Sequence, residues 1–195
     1  RPPPFAADRG PPPMPRKQNP PPRRAVIRCT APHLPVIQEI LNDAILNTTA
    51  LYEYAPRSEE AMREWLAVRV RDGIPVIGIE WEPGVLAGFA TWGPFRPRAA
   101  YKYTAEHSVY VAERFRAAGI GRQLMEAIIA EAKQAELHML IAGIDATNVA
   151  SIALHRSLGF RCCGTVREAG FKFGRWLDLE FWQLILPTPE QPVDG

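Results

Sequence analysis

The chain has 195 residues, 47% of them hydrophobic and 23% charged, which suits one domain with a sizeable core and excludes a disordered or collagen-like chain. Its formal net charge of +2 is unevenly spread, because Arg1, Arg9, Arg16, Lys17, Arg23 and Arg24 against Asp8 alone put +5 into residues 1–24. The remaining chain is therefore at −3, without the general basic face of a nucleic-acid binder, so no nucleic-acid partner is expected.

Residues 1–24 also hold ten of the twenty prolines, in the runs Pro2–Pro4, Pro11–Pro13 and Pro20–Pro22 beside Pro15, and read as a disordered, extended arm. It is either a docking ligand for a proline-recognition module or an acidic surface, or an unstructured extension. From Ala25 the pattern changes. Ala25–Cys29 predicts a short strand, and Leu34, Ile37, Ile40, Leu41 and Ile45 recur at helical spacing up to Asn47. Ser58 caps a second helix that Gly73 ends, and Pro75–Glu80 with Val85–Trp92 flank Glu82-Pro83-Gly84 as a hairpin. A strand at Ala105–Val111 feeds a glycine-rich loop and a helix through Leu124, Ile128, Ile129 and Ala132. Strand Met139–Asp145, helix Val149–Leu158, strand Arg161–Val166 and strand Leu177–Leu186 follow. The order βααβββαβαββ predicts an α/β (α+β) fold, a mixed central sheet flanked by helices on both faces. The domain is expected over 25–187, with 188–195 a flexible tail.

Cys29, Cys162 and Cys163 are an odd set without ligand spacing, so neither a disulfide scaffold nor a metal site is expected. No apolar run reaches the ~20 residues of a membrane span, and no apolar signal core opens the chain. The expectation is a reduced cytoplasmic protein with no membrane partner.

The chemistry is concentrated in Ser108-Val-Tyr-Val-Ala-Glu-Arg-Phe-Arg-Ala-Ala-Gly-Ile-Gly-Arg-Gln-Leu-Met125, a strand, a loop and a helix. Unpaired first-turn amides and the positive end of the helix dipole make such a place an anion site. Gly119 and Gly121 remove the Cβ atoms that would keep phosphate oxygens away, and Arg114, Arg116 and Arg122 add charge. A P-loop would need Gly-Lys-Ser or Gly-Lys-Thr, which residues 119–122 lack; a dinucleotide fingerprint would need a glycine where Leu124 stands. Taken alone, the two glycines are equally consistent with a tight strand-to-helix turn.

Arg116-Ala-Ala-Gly119-Ile-Gly121 resembles the pyrophosphate loop of the GNAT superfamily of N-acetyltransferases, and Asn148 through Leu158-Gly-Phe160 is similar to its second hallmark. Tyr103–Val111 and Ala169–Gln183 resemble the branch acting on phosphinothricin and methionine sulfone or sulfoximine. The resemblance spans Val26 to about Leu186. It implies acetyl-CoA as co-substrate, no metal, a small amino-acid-like acceptor and a homodimer.

It also implies roles for individual residues. Glu106 matches the general base and His155 stands where many members carry a tyrosine that protonates the leaving thiolate; its other reading is a buried structural histidine. Val109, Tyr110 and Val111 offer backbone groups to the pantetheine arm. Arg116, Ala117, Ala118, Gly119, Ile120, Gly121 and Arg122 hold the pyrophosphate, while Asn148 and Ser151 bind the arm. Arg96 and Arg98, with Tyr103, Glu106, His107 and Ser108, form the acceptor pocket, the two arginines being either carboxylate ligands or solvated loop charges. Other acceptors, a peptide N-terminus or a polyamine, and a non-catalytic acyl-CoA-binding module are the competing readings.

Overall fold

The computed structural model describes residues 23–194. The proline-rich expectations for residues 1–22 lie outside the described residues. The elements are β1 (Val26–Arg28), α1 (Leu34–Asn47), α2 (Glu59–Arg71), β2 (Val76–Glu82), β3 (Val85–Pro94), β4 (Thr104–Val111), α3 (Ile120–Gln134), β5 (Met139–Asp145), α4 (Val149–Ser157), β6 (Arg161–Lys172) and β7 (Arg175–Ile185). Local chemistry explains their starts. Ser58 Oγ accepts from Ala61 N at 3.2 Å to cap α2, whose first turn carries Glu59 and Glu60 and whose last carries Arg69 and Arg71, matching the helix dipole.

The seven strands form one sheet in the order β1-β2-β3-β4-β5-β7-β6. Every neighbouring pair is antiparallel except β4 and β5. α3 buries Leu124, Met125 and Ile128 against Ile77, Ala90 and Leu140 on one face. On the other, α1 and α2 bury Ile37, Leu41, Met62 and Leu66 against Val76 and Phe89. Each large apolar side chain so buried contributes about 1.5–3 kcal/mol. The expected mixed sheet with helices on both faces is the observed architecture.

One irregularity in that sheet creates the site. β4 and β5 pair only at Thr104–Glu106 against Met139–Ile141 and then part. β3 still holds β4 along its whole length, and β7 holds β5, so the two strands diverge as parts of two rigid half-sheets.

β6 is longer than its apolar pattern predicts. It runs past Val166 through an irregularity to Gly170 and resumes pairing at Gly170↔Leu177 and Lys172↔Arg175. Residues Arg161–Ala169 are all exposed, so an edge strand of this kind shows no alternation for sequence reasoning to find. Both domain boundaries also carry contacts. Arg24 stacks its guanidinium 3.3 Å from the Trp81 ring centroid and its backbone N–H donates to Gln123 Oε1 at 2.8 Å. In the stretch expected to be a flexible tail, Thr188 Oγ1 donates to Leu137 O at 2.5 Å, and Val193 N donates to the Tyr103 hydroxyl at 3.1 Å.

Candidate active site

The parting of β4 and β5 opens a cavity of about 700 Å³. His107–Val111 form one wall and Ala142–Asp145 the other. The starts of α3 and α4, the end of α1, the following Thr48–Ala50 and Phe173 from the β6–β7 hairpin complete the lining. Beyond Glu106 the β5-facing backbone groups of β4 have no strand partner, so Val109 and Val111 turn theirs to the cavity, with Arg116 reaching Val111 O, whereas the Tyr110 backbone faces Phe89 of β3 and does not serve as expected.

At the start of α3, Ala117 (φ 60°) and Gly119 (φ 81°) are left-handed, turning the chain into α3 at Ile120. Arg116, Ala117 and Gly121 line the cavity there. The first-turn amides of α3 have no intrahelical partner and suit an anion. Gly121 serves packing as well, since a Cβ there would stand 3.3 Å from Leu154 Cδ2 of α4. Arg116 pairs with Asp43 at 3.3 Å and donates to Val111 O at 3.4 Å. Ala118 packs against the core and Ile120 is buried in it, neither lining the cavity. Arg122 is drawn away by Ser157 Oγ at 2.7 Å and also lies off the lining. Asn148 caps α4 by accepting from Ser151 N at 3.1 Å, and both residues line the cavity.

Glu106 sits at the last paired position before the strands part, next to but not among the residues that line the cavity, which start at His107 on this strand. A Cβ added to Gly143 would be 3.3 Å from Glu106 Oε1, so the glycine leaves room for this carboxylate. Burial pushes the Glu106 carboxyl up, and the charge of Arg96 opposes that shift. The adjacent His107 and the α4 residue His155 are each 5% exposed, with their Nε2 atoms 3.0 Å apart. His155 Nδ1 lies 2.8 Å from Ser151 O. A carbonyl can only accept, which assigns the proton of His155 to Nδ1 and makes His107 Nε2–H the donor to His155 Nε2. Burial pushes both imidazoles down, and for His107 the neighbouring His155 adds to the effect. The pair is neutral near pH 7.

Ser108 lines the main cavity with His107. Arg96 and Arg98 instead line a separate depression of about 390 Å³ beside Pro94, Tyr101 and Lys102, with Arg96 stacked 4.5 Å from the Phe95 ring centroid. Tyr103 is not in the cavity wall; its hydroxyl is occupied by Val193. Three features escaped sequence reasoning. Asp145 is a buried carboxylate on the cavity wall. Lys172 is buried, with Nζ donating to Ile45 O, Thr48 O and Leu51 O at 2.6, 2.8 and 2.6 Å. Phe173 overhangs the cavity from the hairpin. Asp145 carries a signal, an acid at a strand end; Lys172 and Phe173 carry none beyond their place in the Ala169–Gln183 stretch.

Residues 37–160 match the acetyltransferase (GNAT) family. The chain belongs to this family. It is 43% identical, over 82% of its length and 93% of the relative's, to an L-methionine sulfoximine/L-methionine sulfone acetyltransferase of Pseudomonas aeruginosa. It is 36% identical to a phosphinothricin N-acetyltransferase of Streptomyces viridochromogenes, over 84% of this chain and 90% of that one. Among solved structures it resembles a GNAT superfamily phosphinothricin acetyltransferase from Sinorhizobium meliloti in complex with acetyl-CoA, with TM-score 0.84 and 34% identity over 88% of this chain and 94% of that one. As a GNAT enzyme the chain is an acetyl-CoA-dependent N-acetyltransferase. The cavity fits that co-substrate: an open strand edge for amides, and a helix start with a left-handed glycine for phosphates. Among the described residues no group of three or more His, Cys, Asp or Glu is arranged to hold a metal ion, and no helix is long and apolar enough to cross a membrane.

Proposed function

We propose that this enzyme acetylates the α-amine of a small amino acid or amino-acid analogue, of the methionine sulfone, methionine sulfoximine or phosphinothricin kind. The names of the relatives support the acceptor class. The observation that carries the mechanism is Glu106, a partly buried carboxylate with a raised pKa at the point where the cavity begins. An amine is protonated at neutral pH, and displacing its equilibrium by two pKa units costs about 2.7 kcal/mol. Glu106 takes that proton, directly or through one water, and the freed lone pair attacks in a single displacement.

Acetyl-CoA, held by the backbone of Val109 and Val111, the loop Arg116–Gly121 and Asn148, supplies the activated acyl carbonyl. The departing thiolate leaves with the C–S electron pair, and the proton it needs is the one the amine lost, carried on from Glu106 through water; His155, neutral and with its Nδ1–H held by Ser151 O, can only relay it. Its Nε2 faces His107, so a proton taken up by the pair can pass between the rings. Arg96, whose charge reaches Glu106, is the residue for the acceptor carboxylate or phosphinate. Arg98 lines the same depression. A homodimer fits the long exposed edge of β6.

The test is thiol release from acetyl-CoA with phosphinothricin, methionine sulfone and a panel of free amino acids, for wild type and Glu106→Gln. Turnover is expected to fall about 10²-fold or more in the variant with acetyl-CoA binding retained. Release at the background rate across the panel sinks the small-acceptor reading, and unchanged kinetics in the variant remove Glu106 from the mechanism.

A further inference from the structure

Asp145 ends β5 on the cavity wall and is 3% exposed. Its two carboxylate oxygens differ. Oδ1 accepts from the backbone N–H of Thr147 at 2.7 Å and from the Thr147 hydroxyl, fixing the turn that leads into α4. Oδ2 is buried and has no hydrogen-bond partner among the described residues. Arg175 does not relieve it, stopping at Thr147 Oγ1, 3.5 Å away. Buried carboxylate oxygens are rarely left this way unless a ligand or ordered water supplies the donor.

The face on which Asp145 lies says which ligand. Leu140, Ala142 and Ile144 enter the core beneath α3, so alternation puts Gly143 and Asp145 on the opposite face of β5. That is the Glu106 face, because a Cβ on Gly143 would stand 3.3 Å from Glu106 Oε1. Asp145 is two residues farther along the same face, about 6.6 Å between backbone positions, so the two carboxylates flank one stretch of that face and their side chains can converge on one group. Tyr52, from the segment after α1, borders the same place: burial first, then the charge of Asp145, pushes its phenol up. Phosphate is an unsuitable occupant beside an unpaired carboxylate, and the phosphate-suited amides lie at the start of α3.

We propose that Asp145 is an acceptor-binding residue, whose free Oδ2 accepts a hydrogen bond from the protonated α-amine and holds that amine within reach of Glu106. The inference rests on the small-acceptor reading above. The ammonium arrives with its N–H bonds shared between two carboxylates. One N–H bond breaks as its proton moves to Glu106, the nitrogen lone pair forms the new bond to the acetyl carbon, and a second N–H stays on Asp145. Glu106 carries the proton transfer, while Asp145 supplies binding and orientation.

Asp145→Asn separates this role from a structural one, because an amide keeps the Oδ1 acceptor for Thr147 and replaces only Oδ2. Steady-state kinetics with methionine sulfone, and titration of acetyl-CoA into the protein, are measured for wild type, Asp145→Asn, Asp145→Glu and Thr147→Val. The expected result is an acceptor KM raised tenfold or more in Asp145→Asn and partly recovered in Asp145→Glu. Acetyl-CoA Kd stays within twofold throughout, and Thr147→Val, which loses the hydroxyl contacts to Oδ1 and to Arg175 but leaves Oδ2 in place, keeps the wild-type acceptor KM. An Asp145→Asn acceptor KM within twofold of wild type overturns the proposal, as does a parallel rise in acetyl-CoA Kd, which would give Oδ2 to the pantetheine amides. Wild-type protein inactive towards every small acceptor is a different failure, visible in the same assay, and removes the parent reading together with this one.

Discussion

Glu106 lies between two opposed influences, burial that raises its pKa and the Arg96 charge that lowers it. A base must be ionised to act, so kcat/KM is expected to fall on the acid side with an apparent pKa above the ordinary carboxylate value of about 4.3. Arg96→Gln removes the opposing charge and moves that limb to higher pH, besides weakening acceptor binding; a pH–rate profile in which the limb stays put would separate Arg96 from the base. The His107–His155 pair makes a stability prediction of its own. Both imidazoles have folded-state pKa values below the unfolded value of about 6.5, so above that pH neither costs anything, and as pH falls below it the unfolded chain binds protons that the folded one refuses. Stability is lost by about 1.4 kcal/mol per pH unit for each such proton, and thermal midpoints measured from pH 7.5 to 5 should fall. His107→Asn should flatten that fall. At this scale the sequence was partly legible. Motif position put Asn148 at the start of the helix it caps and Glu106 on the strand beside the cavity, but the direction of a side chain could not be read: Arg122 is turned by Ser157, thirty-five positions away, and Tyr103 by Val193, ninety away.

The β6–β7 hairpin acts on the cavity through Lys172. Its ammonium gathers the carbonyls of Ile45, Thr48 and Leu51, the orphan acceptors where α1 ends and the cavity-lining segment begins. Hydrogen bonds to a charged group are worth about 1.5–3 kcal/mol, and removing the donor strands buried carbonyls as well. Lys172→Met is therefore expected to lower the thermal midpoint by about 2–4 °C per kcal/mol lost and to raise acceptor KM with acetyl-CoA binding little changed. Equal loss of both ligands would mean that the whole cavity, rather than its acceptor wall, had collapsed. The elements themselves were legible because apolar periodicity follows burial: α1 shows its stripe, and Met139–Asp145 alternates between covered faces. β6 beyond Val166 was not, since its residues through Ala169 are exposed and show no pattern, and the burial resumes only at Gly170 and the charged Lys172. A lysine at a strand end reads as solvated, and nothing local reveals that its partners are backbone oxygens more than a hundred residues away.

At the scale of the molecule, the sheet has a closed side and an open one. β1 at one edge is three residues long, whereas β6 at the other runs for twelve with no strand beyond it among the described residues, the Tyr54 hydroxyl donating to Phe171 O at 2.6 Å. Val166, Phe171, Phe173 and Trp176 stand 46–59% exposed around it. Long edges are protected by charge, irregular register or a partner. Arg161, Arg167 and the irregularity between Val166 and Gly170 supply the first two, but the aromatic cluster at the hairpin remains uncovered. In the homodimer proposed above, a two-fold pairing of hairpins would cover it with the same surface on each side. Sedimentation equilibrium should therefore give a mass near twice the 21.8 kDa of one chain. Trp176→Glu should shift the protein towards monomer. Because the same hairpin carries Lys172 and Phe173, the monomeric variant should also bind the acceptor less tightly, although Trp176 does not line the cavity. A wild-type monomer with full activity sinks the assembly. A monomeric variant with unchanged acceptor KM keeps the assembly but uncouples it from the site, leaving Lys172 alone to hold the cavity wall.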